Sequence, residues 1–219
     1  VPRWRPAFVS ALAPEDRCHL NGLAVRDGRP RYVTCLGATD TAGGWRANKR
    51  NGGLLIDLST GEPLLSGLSM PHSPRWHHGK LWVLESGDGG IGHVDLATGR
   101  QTTVARLPGF TRGLDFHGHY AFVGLSQVRE TAVFAGLPLT DRLEERLCGV
   151  WAVDLRDGST AAFLRFESGV HETFAVQVLP ARFPELLNGD EEPLQSSFVL
   201  PDAALGEVPA AVRAGRAAG

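Results

Sequence analysis

The chain has 219 residues, with 22 Lys+Arg against 24 Asp+Glu and a formal net charge of -2 at pH 7, so its charge gives no reason to expect nucleic acid or an anionic membrane as partner. At 42% hydrophobic and 21% charged residues it carries enough apolar material for a packed core. No run approaches the roughly 18 uncharged apolar residues of a membrane-spanning helix, and the start, Val1-Pro2-Arg3-Trp4-Arg5-Pro6, lacks the apolar stretch of a signal peptide.

In chain order the first element is Cys18-His19-Leu20-Asn21-Gly22-Leu23-Ala24-Val25, a strand that turns at Arg26-Asp27-Gly28 into Arg31-Tyr32-Val33-Thr34. Cys18, Cys35 and Cys148 are three cysteines without CxxC spacing, which argues against a disulfide framework or zinc knuckle and for a reducing, cytoplasmic setting. A Gly-rich loop, Thr41 to Gly53, carries three cations and Trp45. It matches no phosphate or dinucleotide fingerprint, and reads as a solvated loop or one able to close over an anion.

Next comes a pattern that occurs three times. Leu54-Leu55-Ile56-Asp57-Leu58-Ser59-Thr60-Gly61, Gly92-His93-Val94-Asp95-Leu96-Ala97-Thr98-Gly99 and Val150-Trp151-Ala152-Val153-Asp154-Leu155-Arg156-Asp157-Gly158 each read as strand, Asx turn and Gly. The Asp side chain bonds backbone N–H groups two residues on, and Gly supplies the positive φ. A polar cluster and a further hairpin follow the first two, at Met70-Pro71-His72-Ser73-Pro74-Arg75-Trp76 and Gly109-Phe110-Thr111-Arg112-Gly113-Leu114. His171 to Leu179 fits as a later, less complete copy of the first strand. From residue 57 to residue 95 is 38 positions, close to the 40–45 or so of a four-stranded propeller blade. From residue 95 to residue 154 is 59. The excess places an insertion at 127–147, with Asp141 to Leu147 helical and Ala135-Gly136-Leu137-Pro138 as loop.

These features predict an all-β fold, a β-propeller of four-stranded antiparallel blades over residues 1–187 with an irregular tail at 188–219. A sandwich has no reason to repeat a polar cluster at one offset from a turn, whereas radial repetition brings every blade's first strand to one channel. About three and a half copies are visible where closed propellers carry about 4 to 8 blades. An incomplete, N-terminally truncated ring is therefore expected, since an unclosed one leaves an unpaired edge.

Aligning the copies by these offsets sets His19 with His72 and Phe110, and Asn21 with Pro74 and Arg112. His19, Asn21, His72, Ser73, Arg75, Thr111, Arg112, His171 and Glu172 then gather at one channel mouth. His19, His72 and Glu172 would suit a divalent transition metal, the one candidate cofactor, since imidazole and carboxylate are its usual ligands. The same residues more readily suit loop hydrogen bonding around channel water, with metal-free binding as a third reading. His72, Arg112 and Glu172 are the catalytic candidates. Asn21, Ser73, Arg75, Thr111 and Glu130 are the ligand-binding ones, with Arg75 and Arg112 able to hold a carboxylate or phosphate in a fork. Arg75 could instead stack on Trp76. Glu130 could act as a general base or pair with Arg129. Cys18 and His19, being strand neighbours, should point apart. His72 lies in a loop stiffened by Pro71 and Pro74, and its replacement by alanine is expected to abolish binding with little change in stability.

The motifs His19-Leu20-Asn21-Gly22, Pro71 to Trp76, Gly109 to Leu114, Gly124 to Glu130 and Glu167 to Glu172 together resemble an uncharacterised bacterial β-propeller family, over Trp4 to Pro184. The resemblance implies a propeller whose members are longer at the N-terminus and are sometimes encoded beside or fused to tetratricopeptide repeats. It implies no activity. Two readings of function remain open. One is a small-molecule or peptide site in the channel, possible as an enzyme. The other is a non-catalytic scaffold whose partner is a protein, such as a tetratricopeptide repeat protein, or a glycan.

Overall fold

The computed structural model describes residues 3–128 and 136–180. It is all-β, with three four-stranded antiparallel sheets that follow one another along the chain. The first joins β1 (Leu20–Arg26), β2 (Arg29–Cys35), β3 (Gly53–Asp57) and β4 (Pro63–Leu68). The second joins β5 (Pro71–His77), β6 (Lys80–Glu85), β7 (Gly90–Asp95) and β8 (Arg100–Arg106). The third joins β9 (Phe110–His117), β10 (Tyr120–Ser126), β11 (Gly149–Asp154) and β12 (Thr160–Arg165). Every strand pairs with its chain neighbour inside a sheet. The described residues form no closed ring.

Local chemistry sets the hairpins. At Asp27-Gly28 and His78-Gly79 both central residues have positive φ, 53° and 71° in one and 47° and 73° in the other, the mirror-image turn whose twist matches that of the flanking strands. The three Asp-Gly motifs occupy one position, the turn from the third to the fourth strand of each sheet. The Gly61, Gly99 and Gly158 N–H groups donate to the Asp57, Asp95 and Asp154 carbonyls at 2.8, 2.9 and 2.8 Å. Asp57 Oδ1, Asp95 Oδ1 and Asp154 Oδ1 accept from the N–H two residues on, at 2.8, 2.9 and 3.0 Å. The repeat read from the sequence is thus the repeat of the fold.

Burial lies between the sheets. Tyr32, Leu55, Leu81, Val83 and Val94 fill the first interface, and Trp82, Leu84, Ile91, Leu114, Val123 and Trp151 fill the second. The inner strands β1, β5 and β9 pack side by side, and one carbonyl at the start of β5, of β9 and of the segment after β12 is held from the preceding copy. Asn21 Nδ2 donates to Pro71 O at 3.0 Å, Ser86 Oγ to Thr111 O at 2.5 Å, and Ser126 Oγ to Thr173 O at 3.1 Å. Thr173 therefore matches Pro71 and Thr111. Residues 171–178 lie against β9 and β10 as a further inner segment without forming a strand of the sheets.

The insertion differs from its expected form. Its helix, α1, spans Pro138–Arg142 and ends before Leu143, which is extended. Proline is favoured at the first helical position, where its missing N–H costs nothing; Pro138 therefore starts the helix where a loop was expected, and the charged residues after it do not extend it. Leu137 and Leu139 are fully buried with Leu36, Trp45, Met70, Phe110 and Val128. Arg142 Nη2 donates to Asp88 O and Leu107 O at 2.9 and 3.1 Å. Trp45 comes from a short 3-10 turn, Gly44–Asn48, in the Gly-rich loop. The loop and the insertion together form an apolar cap over one end of the inner strands. The expected tail at 188–219 and residues 129–135 of the insertion lie outside the described residues.

Candidate functional site

Beneath the cap is a cavity of about 230 Å³ lined by Asp16, His19, Leu36, Trp45, Arg46, Met70, His72, Phe110 and Arg112. Three residues singled out from the sequence, His19, His72 and Arg112, therefore share one space. Their alignment needs correction. Counting back from the hairpin-closing residues Arg26, His77 and His117, Asn21, His72 and Arg112 are equivalent, and His19 matches Met70 and Phe110. The offset taken from Gly61 and Gly99 slips because Leu107-Pro108-Gly109 lengthens the passage into β9.

His72 is buried, 5% exposed. Its Nδ1 lies 2.9 Å from Met70 O and 2.9 Å from Ser86 Oγ. A carbonyl oxygen only accepts, and the single Ser86 hydroxyl hydrogen is committed to Thr111 O, so both contacts need the proton on Nδ1. Nε2, on the other side of the ring, is left with a bare lone pair and no partner among the described residues. Burial pushes the imidazole down to about 4, and the nearby Arg112 and His19 add to this against the Met70 carbonyl.

This corrects the expectation that His72 is accessible and dispensable to the fold. It also predicts an acid sensitivity. With its folded value below its ordinary 6.5, the unfolded chain binds the proton first. Stability is then complete above about pH 6.5 and is lost as pH falls toward about 4, by about 3 kcal/mol. Urea unfolding of wild type and His72→Gln across that range should show a steeper loss in the wild type, the remainder in the variant coming from His93 and the lowered carboxylates; equal slopes would refute it.

Arg112 is half-buried, its guanidinium 4.0 Å over the Phe174 ring, and it makes no hydrogen bond or ion pair among the described residues. Burial lowers its value from the ordinary guanidinium range, while the Glu172 carboxylate pulls the other way. His19 adopts φ 50°, and its Nδ1 donates to Asp16 Oδ1 at 2.7 Å with the ring 4.9 Å from Trp45. Asp16 Oδ2 accepts from Trp45 Nε1 at 2.9 Å and Arg46 Nη2 at 3.3 Å. One carboxylate thus orients the imidazole, the indole and a guanidinium around the cavity wall.

The other candidates are placed elsewhere. Asn21 clamps two sheets, accepting from Thr34 Oγ1 at 2.6 Å while donating to Pro71 O. Ser73 Oγ accepts from Gly113 N at 3.0 Å. Thr111 is fully buried and its carbonyl serves Ser86. Arg75 donates Nη1 to Pro74 O and Leu23 O at 3.0 and 3.4 Å, and the cation over Trp76 is Arg26, at 4.1 Å. These four hold backbone between sheets and lie outside the cavity lining. His171 bonds Gln127 Oε1 through Nδ1 at 2.9 Å. Glu130 lies outside the described residues. The metal set is not assembled: among the described residues no three His, Cys, Asp or Glu side chains are grouped so as to hold an ion. Glu172 is exposed on the segment beyond β12, and His19 is turned to Asp16. Cys18 and Cys35 are buried free thiols, Cys35 pushed up to about 12 by burial, so neither supplies a nucleophile.

Sequence reading missed Asp16, Leu36, Arg46, Met70 and Ser86. Only Ser86 carried a usable signal, since Ser126 repeats it at the end of the second strand of the next sheet.

Fold and site together define an all-β, propeller-like repeat protein with a capped cavity at the ends of its inner strands. The chain belongs to the family described as a domain of unknown function (DUF4915), whose model matches residues 1–187. No curated protein matches the chain. Among solved structures it is similar to the computationally designed Ika4 protein, at 15% identity and TM-score 0.43 over 80% of this chain and 88% of that one. It is also similar to the designed Ika8 protein (15%, TM-score 0.41, 73% of this chain and 40% of that one). A third is the Kuenenia stuttgartiensis hydrazine synthase (12%, TM-score 0.44, 71% and 38%). The chain thus spans less than half of the last two. No helix among the described residues is long and apolar enough to cross a membrane.

Proposed function

We propose that the capped cavity is a binding site for a small molecule or the end of a peptide, held without a metal. The observation that carries this is the pair His72 and Arg112 on one cavity lining: among the described residues His72 Nε2 has no hydrogen-bond partner, and the Arg112 guanidinium, stacked on Phe174, has no hydrogen bond or ion pair. Neither group is sealed inside the protein, so both are open to a ligand that enters the cavity. Asp16, Asn21, Ser73 and Ser86, by contrast, all have their partners inside the protein. A cavity of about 230 Å³ is below the size range of pockets that hold drug-sized ligands, so the ligand is small.

The test is a thermal-shift screen of metabolites against wild type and Arg112→Gln. Arg112 makes no hydrogen bond among the described residues and its one packing contact is with the exposed Phe174, so the variant should stay folded with a Tm close to wild type while losing the shift that a ligand gives. A ligand whose shift survives in Arg112→Gln would place binding elsewhere.

A second reading, a scaffold for a protein partner, is favoured by exposed apolar side chains at both ends of the array. Leu20, Leu23 and Val25 stand out on β1, and Phe163, Leu164 and Phe174 at the other end. The tetratricopeptide repeat protein suggested by the resemblance belongs to this reading.

A further inference from the structure

Resting on the small-molecule reading of the capped cavity, we infer that its ligand is a small hydroxy acid, a carboxylate with a neutral hydroxyl beside it on an apolar body. Three features of the wall select that chemistry. Arg112 offers the only guanidinium on the lining that is free of ion pairs among the described residues, Arg46 being held by Asp16. A planar fork of donors matches a carboxylate. His72 Nε2 is an acceptor and nothing else, because Met70 O and Ser86 Oγ fix the hydrogen on Nδ1. A ligand group meeting it must donate a hydrogen bond, and a second carboxylate oxygen there would leave two lone pairs facing each other.

The donor is neutral. A cation at His72 is disfavoured because the site is buried and Arg112 stands on the same lining, while the Asp16 carboxylate there is already taken up by His19, Trp45 and Arg46; burial, Arg112 and His19 likewise keep the imidazole uncharged. An ammonium group would meet that field, and a hydroxyl would not. Of the remaining lining, Asp16 and His19 are bonded to each other, with Asp16 also held by Trp45 and Arg46, and Leu36, Trp45, Met70 and Phe110 form an apolar part that takes a hydrocarbon or aromatic body. His72 and Phe110 meet edge to face at 5.6 Å, which places the acceptor beside the apolar wall.

Three probes that differ at one group test this: mandelate (hydroxyl), phenylacetate (hydrogen) and phenylglycine (ammonium). The readout is the Trp45 indole N–H resonance, assigned with Trp45→Phe, titrated in the wild-type protein. Mandelate should shift it saturably, with phenylacetate at least about tenfold weaker because it leaves the acceptor unpaired, and phenylglycine weaker still. Arg112→Gln should lose mandelate binding. Equal affinity for all three, or phenylglycine binding tighter than mandelate, would overturn the hydroxyl assignment. If none of the three moves Trp45 while another compound does so in an Arg112-dependent way, the hydroxy-acid class is wrong and the cavity stands as a binding site. If no small molecule moves it, both fall.

Discussion

Trp45→Ala should lower the stability of the protein by about 3–5 kcal/mol, the range for truncating a buried large aromatic side chain. Trp45 is only 4% exposed although it belongs to a loop, and it packs with Leu36, Met70, Phe110, Leu137 and Leu139. Its indole N–H donates to Asp16, which also orients His19. The truncation therefore removes apolar contacts from the cap, leaves a carboxylate oxygen short of a donor, and joins the cavity to the space the ring had filled. Urea unfolding checks the stability, and ligand affinity in the same variant should fall as the wall is lost. A change of less than about 1 kcal/mol would mean that the cap is held without its tryptophan.

Gly113→Ala should cost about 2–4 kcal/mol through two separate effects. Gly113 has φ +82°, a conformation in which a Cβ is strained by about 1–2 kcal/mol. That Cβ would also lie 2.6 Å from Val176 N and 2.8 Å from the Ala175 backbone, so the 171–178 segment must move, at an overpacking cost of about 1–3 kcal/mol. The Ser73 hydroxyl that accepts from the Gly113 N–H sits at the same junction. The loss should be local as well as global. Hydrogen exchange over 171–178 should accelerate relative to β6 and β10, and Phe174 should leave the face of Arg112, which stands next to the substituted position. A variant with wild-type exchange in that segment would show that the segment is not packed as an inner element.

At the matching place in the first sheet, a Cβ on Gly22 would meet Pro74 and the Ser73 N–H at 2.4 and 3.1 Å. The inner strands approach more closely than side chains allow, and small residues stand where they do. The cavity lies at the ends of these strands. The chain that frames it cannot relax outward without breaking the carbonyl bonds from Asn21, Ser86 and Ser126.

The repeat was legible in the amino-acid order because its causes are local. An Asx turn needs an Asp, two residues whose N–H groups face it and a Gly, all within five positions, so Asp57, Asp95 and Asp154 announce the third hairpin connection of each sheet wherever the chain places it. The same holds for Asp27-Gly28 and His78-Gly79, which mark the first hairpins. The gathering of His19, His72 and Arg112 was legible only coarsely: all three precede a first hairpin and so fall at one end of the inner strands, but His72 and Arg112 share a repeat position and His19 stands two positions earlier, with Met70 and Phe110. What only the tertiary structure decided is which atoms remain free. His72 and Asn21 hold one repeat position, yet Asn21 spends its amide on Pro71 O and Thr34, whereas His72 is held through Nδ1 alone. Arg75 was lost to backbone carbonyls and Glu172 to the surface, while Asp16 and Trp45, from segments outside the repeat, became the cavity's organiser and roof. The contacts that decide Asn21 and Asp16 reach Pro71 and Trp45, 50 and 29 positions away, and no local spacing encodes them.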